Sequence, residues 1–275
     1  MKYKKPNVVI ISPNLYSRYT LTTIYLLRRM DINVSGVISL SLLNYSRFFS
    51  EFRRDGFRLL IKIYRKLILK GNENSVRGGN SIVSFMSENN MPFIAVPQLC
   101  KKNDIKYLST SDINSKSVHL FLDEVRPDCI AFTGGGIIRQ GVIDRSGKGV
   151  INCHMGVLPA YRGMDVVQWP ILNQDYSNIG MTTHLMDQGV DTGDILKVTR
   201  VNVDEFSNLK SLRNLFEQLM PQILAESCVG LLDGSITPSS QFREEGIQYF
   251  ICNQRLAPFV DENLYSNHIR KLRKN

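Results

Sequence analysis

The chain has 275 residues, 43% hydrophobic and 21% charged, a globular balance that excludes an extensively disordered protein. No apolar run approaches the roughly 20 residues that a membrane-spanning helix needs. The five cysteines are scattered without a CxxC pair, and no secretion signal precedes them, which is typical of reduced thiols in a cytoplasmic protein. The net charge of +9 favours an anionic partner such as a phosphorylated substrate, a nucleic acid or a membrane surface.

The first elements alternate between strand and helix. Residues Asn7 to Ser12 are apolar and β-branched, which predicts a buried strand. A helix is predicted over Tyr19 to Arg29 and a second strand over Asn33 to Ser39. This succession predicts a βαβ unit. The expected fold is therefore a Rossmann-like α/β core, with a mostly parallel central sheet flanked by helices.

Residues 45–70 are strongly basic. Arginines and lysines alternate there with apolar residues at three- and four-residue steps, which predicts a basic amphipathic helix. This helix would form most of an insertion over about residues 45–90. Two interpretations stay open: the helix covers the sheet, or it makes a weak contact with a membrane surface or another anionic partner.

The elements after the insertion continue the pattern. In chain order, we predict a helix at Ser81–Asn89, a helix or irregular segment at Phe93–Lys102, a short strand at Asp104–Leu108, a helix at Asn114–Val125, strands at Cys129–Thr133, Gly149–Cys153, Ile179–Met186 and Ile195–Val203, and a helix at Leu209–Leu232. We expect a helix-like loop after Met186 and an irregular tail from Gln241. A catalytic domain over residues 1–203 would then precede a short C-terminal extension, partly helical and partly irregular, over residues 204–275.

A polar pair occupies one of the predicted strands. Asn152 and His154 are two positions apart, so strand alternation puts both side chains on the same face. They lie near the carboxyl end of the strand, where open α/β sheets hold their ligands. Such a pair is either hydrogen-bonded within the core or functional. Taken alone, it favours the first interpretation.

Three motifs follow one another within residues 149–194: Asn152-Cys153-His154, then Leu158-Pro159-Ala160-Tyr161-Arg162-Gly163, then Asp187-Gln188-Gly189-Val190-Asp191-Thr192-Gly193-Asp194. In this order they resemble the formyltetrahydrofolate-dependent formyltransferases. Matched motif by motif, the catalytic triad of that family falls on Asn152, His154 and Asp191. The chemistry suits these residue types, because an amide can donate to an oxyanion, an imidazole can move the proton of the amine, and a carboxylate can orient the imidazole.

The resemblance also implies the formyl donor, 10-formyltetrahydrofolate, and a reaction that needs no metal. In the family, a glycine run after a strand forms one wall of the pterin pocket, and the loop that leads to the triad aspartate forms the other. Glycine suits such a wall, since it lets the backbone approach a flat ring closely. The matching positions are Gly134, Gly135, Gly136, Ile137 and Ile138 on one side, and Asp187, Gly189 and Val190 on the other.

Members of the family differ in the amine that they formylate. Methionyl-tRNA formyltransferases carry a further C-terminal barrel, for which too little chain follows the last predicted strand, so a tRNA acceptor is not expected. Glycinamide ribonucleotide formyltransferases have a glycine-rich phosphate loop where this chain has residues 12–18 without glycine. What remains is similar to the sugar N-formyltransferases. The expected acceptor is thus the amine of a nucleotide-linked sugar, contacted by Ser12, Asn14, Arg18, Tyr161, Arg162 and Gln168.

Alternatives to this interpretation stay open. The acceptor could be glycinamide ribonucleotide or methionyl-tRNA after all. The chain could also be an inactive module of the same fold that binds an anionic surface through its basic helix. An oligomer is compatible with the sequence.

Overall fold

The computed structural model describes residues 5–41 and 81–273. The basic helix predicted at 45–70 lies outside the described residues. The described strands are β1 (Asn7–Ser12), β2 (Asn33–Leu40), β3 (Lys106–Thr110), β4 (Cys129–Phe132), β5 (Val150–His154), β6 (Tyr161–Gly163), β7 (Gly180–Leu185), β8 (Ile195–Arg200) and β9 (Ile247–Tyr249). The described helices are α1 (Arg18–Arg29), α2 (Ser81–Glu88), α3 (Val96–Lys102), α4 (Lys116–Val125), α5 (Gln140–Ile143), α6 (Gln168–Leu172), α7 (Leu209–Asp233) and α8 (Ala257–Leu272). None of these helices is long and apolar enough to cross a bilayer.

Seven strands form the central sheet, in the order β3-β2-β1-β4-β5-β7-β8. The first five are parallel, β7 is antiparallel to β5, and β8 is antiparallel to β7. This confirms the expected mostly parallel α/β core. The chain leaves β1 towards β2 on one side and returns to β4 on the other, so a topological switch point lies between β1 and β4.

Both faces of the sheet are covered. Val8 and Ile10 of β1 belong to a buried cluster that includes side chains of α1, α3 and α7. Val9 and Ile11, which point the other way, pack in a second cluster with Val118 and Leu122 of α4. The helix α7 therefore shares its core with β1, although it begins after residue 203. The division of the chain at residue 203 stays a prediction.

The expectation of an irregular tail is wrong. The tail contains β9, which pairs in parallel with β6, and the 16-residue helix α8. Val260 and Leu264 give α8 its buried side, and both are fully buried. Two apolar residues at a spacing of four make a weak helical pattern, which explains why the sequence did not reveal the helix.

The helix-like loop expected after β7 is also absent from the described structure. The Asp187 carboxylate accepts hydrogen bonds from the Gly189 N–H and from the Thr192 hydroxyl. Asp191 then adopts a left-handed conformation with φ of 53°. Local side-chain bonds of this kind compete with helix formation, so the segment folds as a series of turns.

We expect Gly163→Ala to lower the free energy of unfolding by about 3 kcal/mol, because it combines backbone strain with a steric clash. Gly163 has φ of 96°, and a Cβ there would lie 2.1 Å from the Tyr249 carbonyl oxygen of β9. Gly136→Ala is the matched control: its φ is 106°, but its Cβ would meet nothing within 4 Å. Urea unfolding measures both variants, and equal losses would contradict the role assigned to the β6–β9 contact.

Candidate active site

The carboxyl ends of β1, β4 and β5 meet at the switch point, beside an open cavity of about 540 Å³. The lining includes Asn14, Tyr16, Ser17, Arg18 and Tyr19, which follow β1, and Phe132, Thr133 and Gly134 at the carboxyl end of β4. Asn152 of β5 contributes to the wall, as do Glu217 and Met220 of α7. The position and size are those of a small-molecule site in an open α/β sheet.

Asn152 faces this cavity and is held by His184. Its Nδ2 lies 3.2 Å from His184 Nε2, and the two residues are register partners across β5 and β7. His184 Nδ1 donates to the Leu185 carbonyl at 2.9 Å, so its Nε2 is the acceptor for the Asn152 amide. One N–H of the amide is thereby fixed, and the other remains for a ligand in the cavity.

His184 also belongs to the site, although it lies outside the three sequence motifs. The ring is 2% exposed, and its Nε2 is also 3.5 Å from an Asp191 carboxylate oxygen. The signal in the sequence was the alternation of Thr182 and His184, which places both side chains on the same side of β7. That alternation does not reveal which residue of β5 lies opposite.

His154 is buried between a carbonyl and a carboxylate. Its Nε2 donates to the Tyr161 carbonyl at 2.9 Å, and its Nδ1 is 3.4 Å from Asp191 Oδ2. Burial lowers the pKa of His154 below its usual 6.5, although the Asp191 charge and the Tyr161 carbonyl act in the opposite direction. The ring is therefore neutral at neutral pH, with its proton on Nε2, and Nδ1 can take up a proton beside the carboxylate.

Asp191 is ionised at the same pH. Burial alone would raise its pKa, but the contacts with His184 and His154 and the N–H of Gly163 together lower it below the ordinary value. The Gly163 N–H donates to Asp191 Oδ2 at 2.9 Å. The structure thus brings Asn152, His154, Asp191 and His184 into a single cluster.

Gln241 donates hydrogen bonds to the backbone around Asp191, and the sequence analysis did not identify this residue. Its Nε2 donates to the Asp191 carbonyl at 3.1 Å and to the Gly193 carbonyl at 2.6 Å. The contact joins positions 50 apart, and no motif surrounds Gln241. Nothing in the sequence could have marked it.

We expect Gln241→Ala to lower kcat for formyl transfer about 10-fold, because the Asp191 loop loses two hydrogen bonds worth about 1 kcal/mol each. The matched control is Gln222→Ala, since Gln222 Nε2 also donates to a backbone carbonyl, that of Gln218 within α7. Steady-state kinetics at saturating donor and acceptor measure the effect. A kcat equal to that of the control would show that the loop holds Asp191 without Gln241.

The two expected donor walls lie next to each other. Gln188 Nε2, in the loop after β7, donates to Gln140 Oε1, which follows the glycine run after β4, at 3.1 Å. Gly134, Gly135 and Gly136 all have positive φ, and the space around Gly136 is open. Ile137 is 84% exposed and Val190 48%, so both present apolar surface to solvent. Ile138 instead packs in the core.

Of the six residues expected to contact the acceptor, the structure brings two to the cavity, Asn14 and Arg18. Ser12 is fully buried, and its hydroxyl bonds to the Asn14 carbonyl and to Thr20. These bonds shape the loop after β1 and leave the Ser12 hydroxyl without access to a ligand.

The other three make contacts within the protein: Arg162 and Tyr161 contact the tail, and Gln168 contacts α7. Arg162 is buried, and its Nη2 donates to the carbonyls of Arg243 and Gly246. The Tyr161 ring stacks on Tyr249 with centroids 5.1 Å apart. Gln168 accepts a hydrogen bond from Arg213. A ligand would have to displace these contacts to reach the three side chains, so the structure gives them packing roles.

The fold and the Asn–His–Asp cluster point to one class of enzyme. A model of the family described as "Formyl transferase" matches residues 79–228, more than half of the chain. The chain belongs to the formyl transferase family, which confirms the resemblance found in the sequence motifs.

One curated relative is a methionyl-tRNA formyltransferase of Clostridium tetani (strain Massachusetts / E88), 29% identical over 181 residues, which cover 65% of this chain and 58% of that protein. The chain spans about half the length of the curated relatives that it matches. Among solved structures, a sugar N-formyltransferase from Shewanella sp FDAARGOS_354 aligns with a TM-score of 0.56 at 14% identity, over 96% of this chain and 87% of that one. An N-formyltransferase from Helicobacter canadensis, in complex with folinic acid and dTDP-3-aminofucose, aligns with a TM-score of 0.52 at 13% identity, over 97% and 82% of the chains. At these identities the structural likeness shows the fold.

Proposed function

We propose that the protein transfers a formyl group from 10-formyltetrahydrofolate to a primary amine. One observation carries the proposal: Asn152, His154 and Asp191 form a single cluster beside a cavity at the switch point, in a chain that belongs to the formyl transferase family. A purely structural role would not explain why an amide that faces the cavity is fixed by a buried imidazole.

The chemistry follows from the contacts. The amine nitrogen attacks the formyl carbon, and the formyl oxygen becomes negatively charged in the tetrahedral intermediate. The free N–H of Asn152 donates to that oxygen. His154 accepts the proton of the attacking amine at Nδ1, where Asp191 stabilises the charged ring. The bond to N10 of the donor then breaks, the proton passes to N10, and the products are a formamide and tetrahydrofolate.

The donor would bind between the glycine run after β4 and the loop after β7. The open backbone at Gly136 lets a flat ring approach closely, and the exposed side chains of Ile137 and Val190 offer apolar contact. The Gln188–Gln140 hydrogen bond ties the two loops together. The residues present therefore fit a pterin.

For the acceptor, we propose the amine of a nucleotide-linked sugar. The net charge of +9 and Arg18 at the cavity suit a diphosphate, and the cavity has the size of a small-molecule site. The Helicobacter canadensis structure shows that an enzyme of this fold holds such a ligand. Methionyl-tRNA is the second candidate, because the curated relatives by sequence are methionyl-tRNA formyltransferases.

A turnover screen tests both parts of the proposal. Tetrahydrofolate release from 10-formyltetrahydrofolate is followed with nucleotide-linked amino sugars, glycinamide ribonucleotide and methionyl-tRNA as separate acceptors. Release with one amino sugar supports the full proposal. Release with methionyl-tRNA or with glycinamide ribonucleotide alone keeps the chemistry and overturns the acceptor. No release and no donor binding would favour an inactive module of the same fold.

We expect kcat to be flat between about pH 7 and 8 and to fall on the acidic side, with its inflection below 6.5. The direction of the change follows from burial, which lowers the pKa of His154. The ring therefore stays neutral, and able to accept a proton, at a lower pH than an exposed histidine would. In Asp191→Asn the carboxylate that raises the His154 pKa is lost, so the inflection in the residual activity moves to still lower pH. The acceptor amine titrates alike in both proteins, so a shift in the opposite direction would refute this role of His154.

A further inference from the structure

Two aromatic rings and an arginine lie together beside the cavity that Asn152 lines. Tyr16 is 62% exposed and Phe93 50%, with ring centroids 6.5 Å apart and an angle of 50° between the rings. The Arg18 guanidinium lies 4.8 Å from the centroid of the Phe93 ring. We call these three residues the rim cluster.

The rim cluster connects two cavities. Tyr16 and Arg18 line the cavity of Asn152, and Arg18 and Phe93 line a neighbouring one of about 500 Å³ against α2. Arg18 therefore stands where the two meet. An acceptor that reaches from Asn152 to Arg18 would therefore extend towards the second cavity.

The exposed side chains suit a ligand that is flat at one end and anionic beside it. Aromatic rings stack on heterocycles, and stacking of one base contributes about 1–3 kcal/mol. Arginine suits phosphate, because its planar guanidinium can donate two parallel hydrogen bonds. Within residues 5–41 and 81–273, the structure shows no ion pair between Arg18 and a carboxylate, although Glu217 lines the same cavity.

We propose that the rim cluster binds the nucleoside diphosphate portion of the acceptor, with the base against Tyr16 and Phe93 and the phosphates against Arg18. The inference rests on the proposed function, since the amine end of the same molecule must reach Asn152. A base next to a phosphate also occurs at the 3′ end of a tRNA, so the experiment has to separate the two sources.

The test is isothermal titration calorimetry of the full chain with UDP and dTDP, and in parallel with an unacylated tRNA. We expect micromolar binding of at least one diphosphate, roughly 10-fold weaker in Arg18→Gln and in Phe93→Leu. Leucine keeps apolar bulk at position 93 and removes only the stacking face. The matched control is Arg28→Gln, near the other end of α1, which should bind as the wild type does. Thermal unfolding of each variant confirms that it is folded.

Three outcomes would overturn the inference. In the first, a diphosphate binds, but Arg18→Gln and Phe93→Leu bind it as the control does. In the second, the tRNA binds in a manner that depends on the rim cluster while neither diphosphate binds. In the third, no diphosphate binds although 10-formyltetrahydrofolate binds and formyl transfer to another amine proceeds, which leaves the proposed reaction intact. Failure of the reaction itself appears separately, as loss of donor binding and turnover.

Discussion

Asn152→Ala is expected to lower kcat for formyl transfer by about 100- to 1000-fold, while the donor binds as before. The Asn152 amide is fixed by His184, so its free N–H meets the negative oxygen without reorganisation, and this contact exists only while the charge is present. Single-turnover rates at saturating 10-formyltetrahydrofolate measure the loss, and a separate titration gives the dissociation constant of the donor.

A matched amide elsewhere separates chemistry from folding. Asn103 donates from Nδ2 to the Leu99 carbonyl at the end of α3, away from the cavity, and Asn103→Ala should keep its full rate. A loss of less than 10-fold in Asn152→Ala would mean that other groups stabilise the oxyanion. An equal loss in both variants would point to a general weakening of the fold.

His154→Gln is expected to lower kcat about 1000-fold. Glutamine can still donate a hydrogen bond to the Tyr161 carbonyl, as His154 does, but it cannot take up the proton of the amine. Asp191→Asn should cost about 100-fold, since it removes the charge that stabilises protonated His154. The double variant should be no slower than His154→Gln alone, because the two residues act on the same proton.

The comparison of the single and double variants can also refute the proposed proton route. If the two losses multiply, Asp191 acts independently of His154, and the proposed proton route is refuted. His119→Gln serves as the control, because His119 is half-buried on α4 and lies outside the cluster. Circular dichroism of each variant shows whether the fold is kept.

The sequence revealed the parts of the molecule that depend on local patterns. The β-branched run of β1 and the polar pair on β5 follow from strand propensity and strand alternation. The βαβ succession then predicted that the strands are mostly parallel and that a ligand binds at their carboxyl ends. These rules act over a few residues or over one connection, and the structure agrees with them.

The remaining parts of the site depend on contacts between distant segments. His184 reaches Asn152 because β7 pairs with β5 in one register, and a slip by one residue would point the ring away. Arg162 belongs to a motif beside the triad, so the sequence placed it at the pocket mouth, yet its guanidinium is turned to the tail. Such contacts depend on tertiary packing, which no short pattern in the sequence encodes.

The identity of the acceptor is a further property that the sequence motifs do not determine. The curated relatives are methionyl-tRNA formyltransferases, whereas the aligned structures quoted above are sugar N-formyltransferases and related enzymes. In the proposed mechanism the Asn–His–Asp cluster acts on the formyl carbon and the attacking amine, so it would not distinguish one acceptor from another. With that mechanism, the residues that select the acceptor would lie away from the cluster, as the proposed nucleotide contacts Tyr16, Arg18 and Phe93 do.

The pairing of β9 with β6 has a consequence during protein synthesis. Arg162, whose neighbour Gly163 donates to the Asp191 carboxylate, contacts Gly246 at a distance of 84 positions along the chain. At about 5–20 residues per second, a ribosome takes roughly 4–17 s to travel that distance. Throughout that interval the nascent chain already contains Asn152 and His154, but it lacks the C-terminal segment that contacts the region around Asp191. Catalytic competence should therefore appear only after the tail has left the exit tunnel, as a lag that a stalled-chain series would resolve.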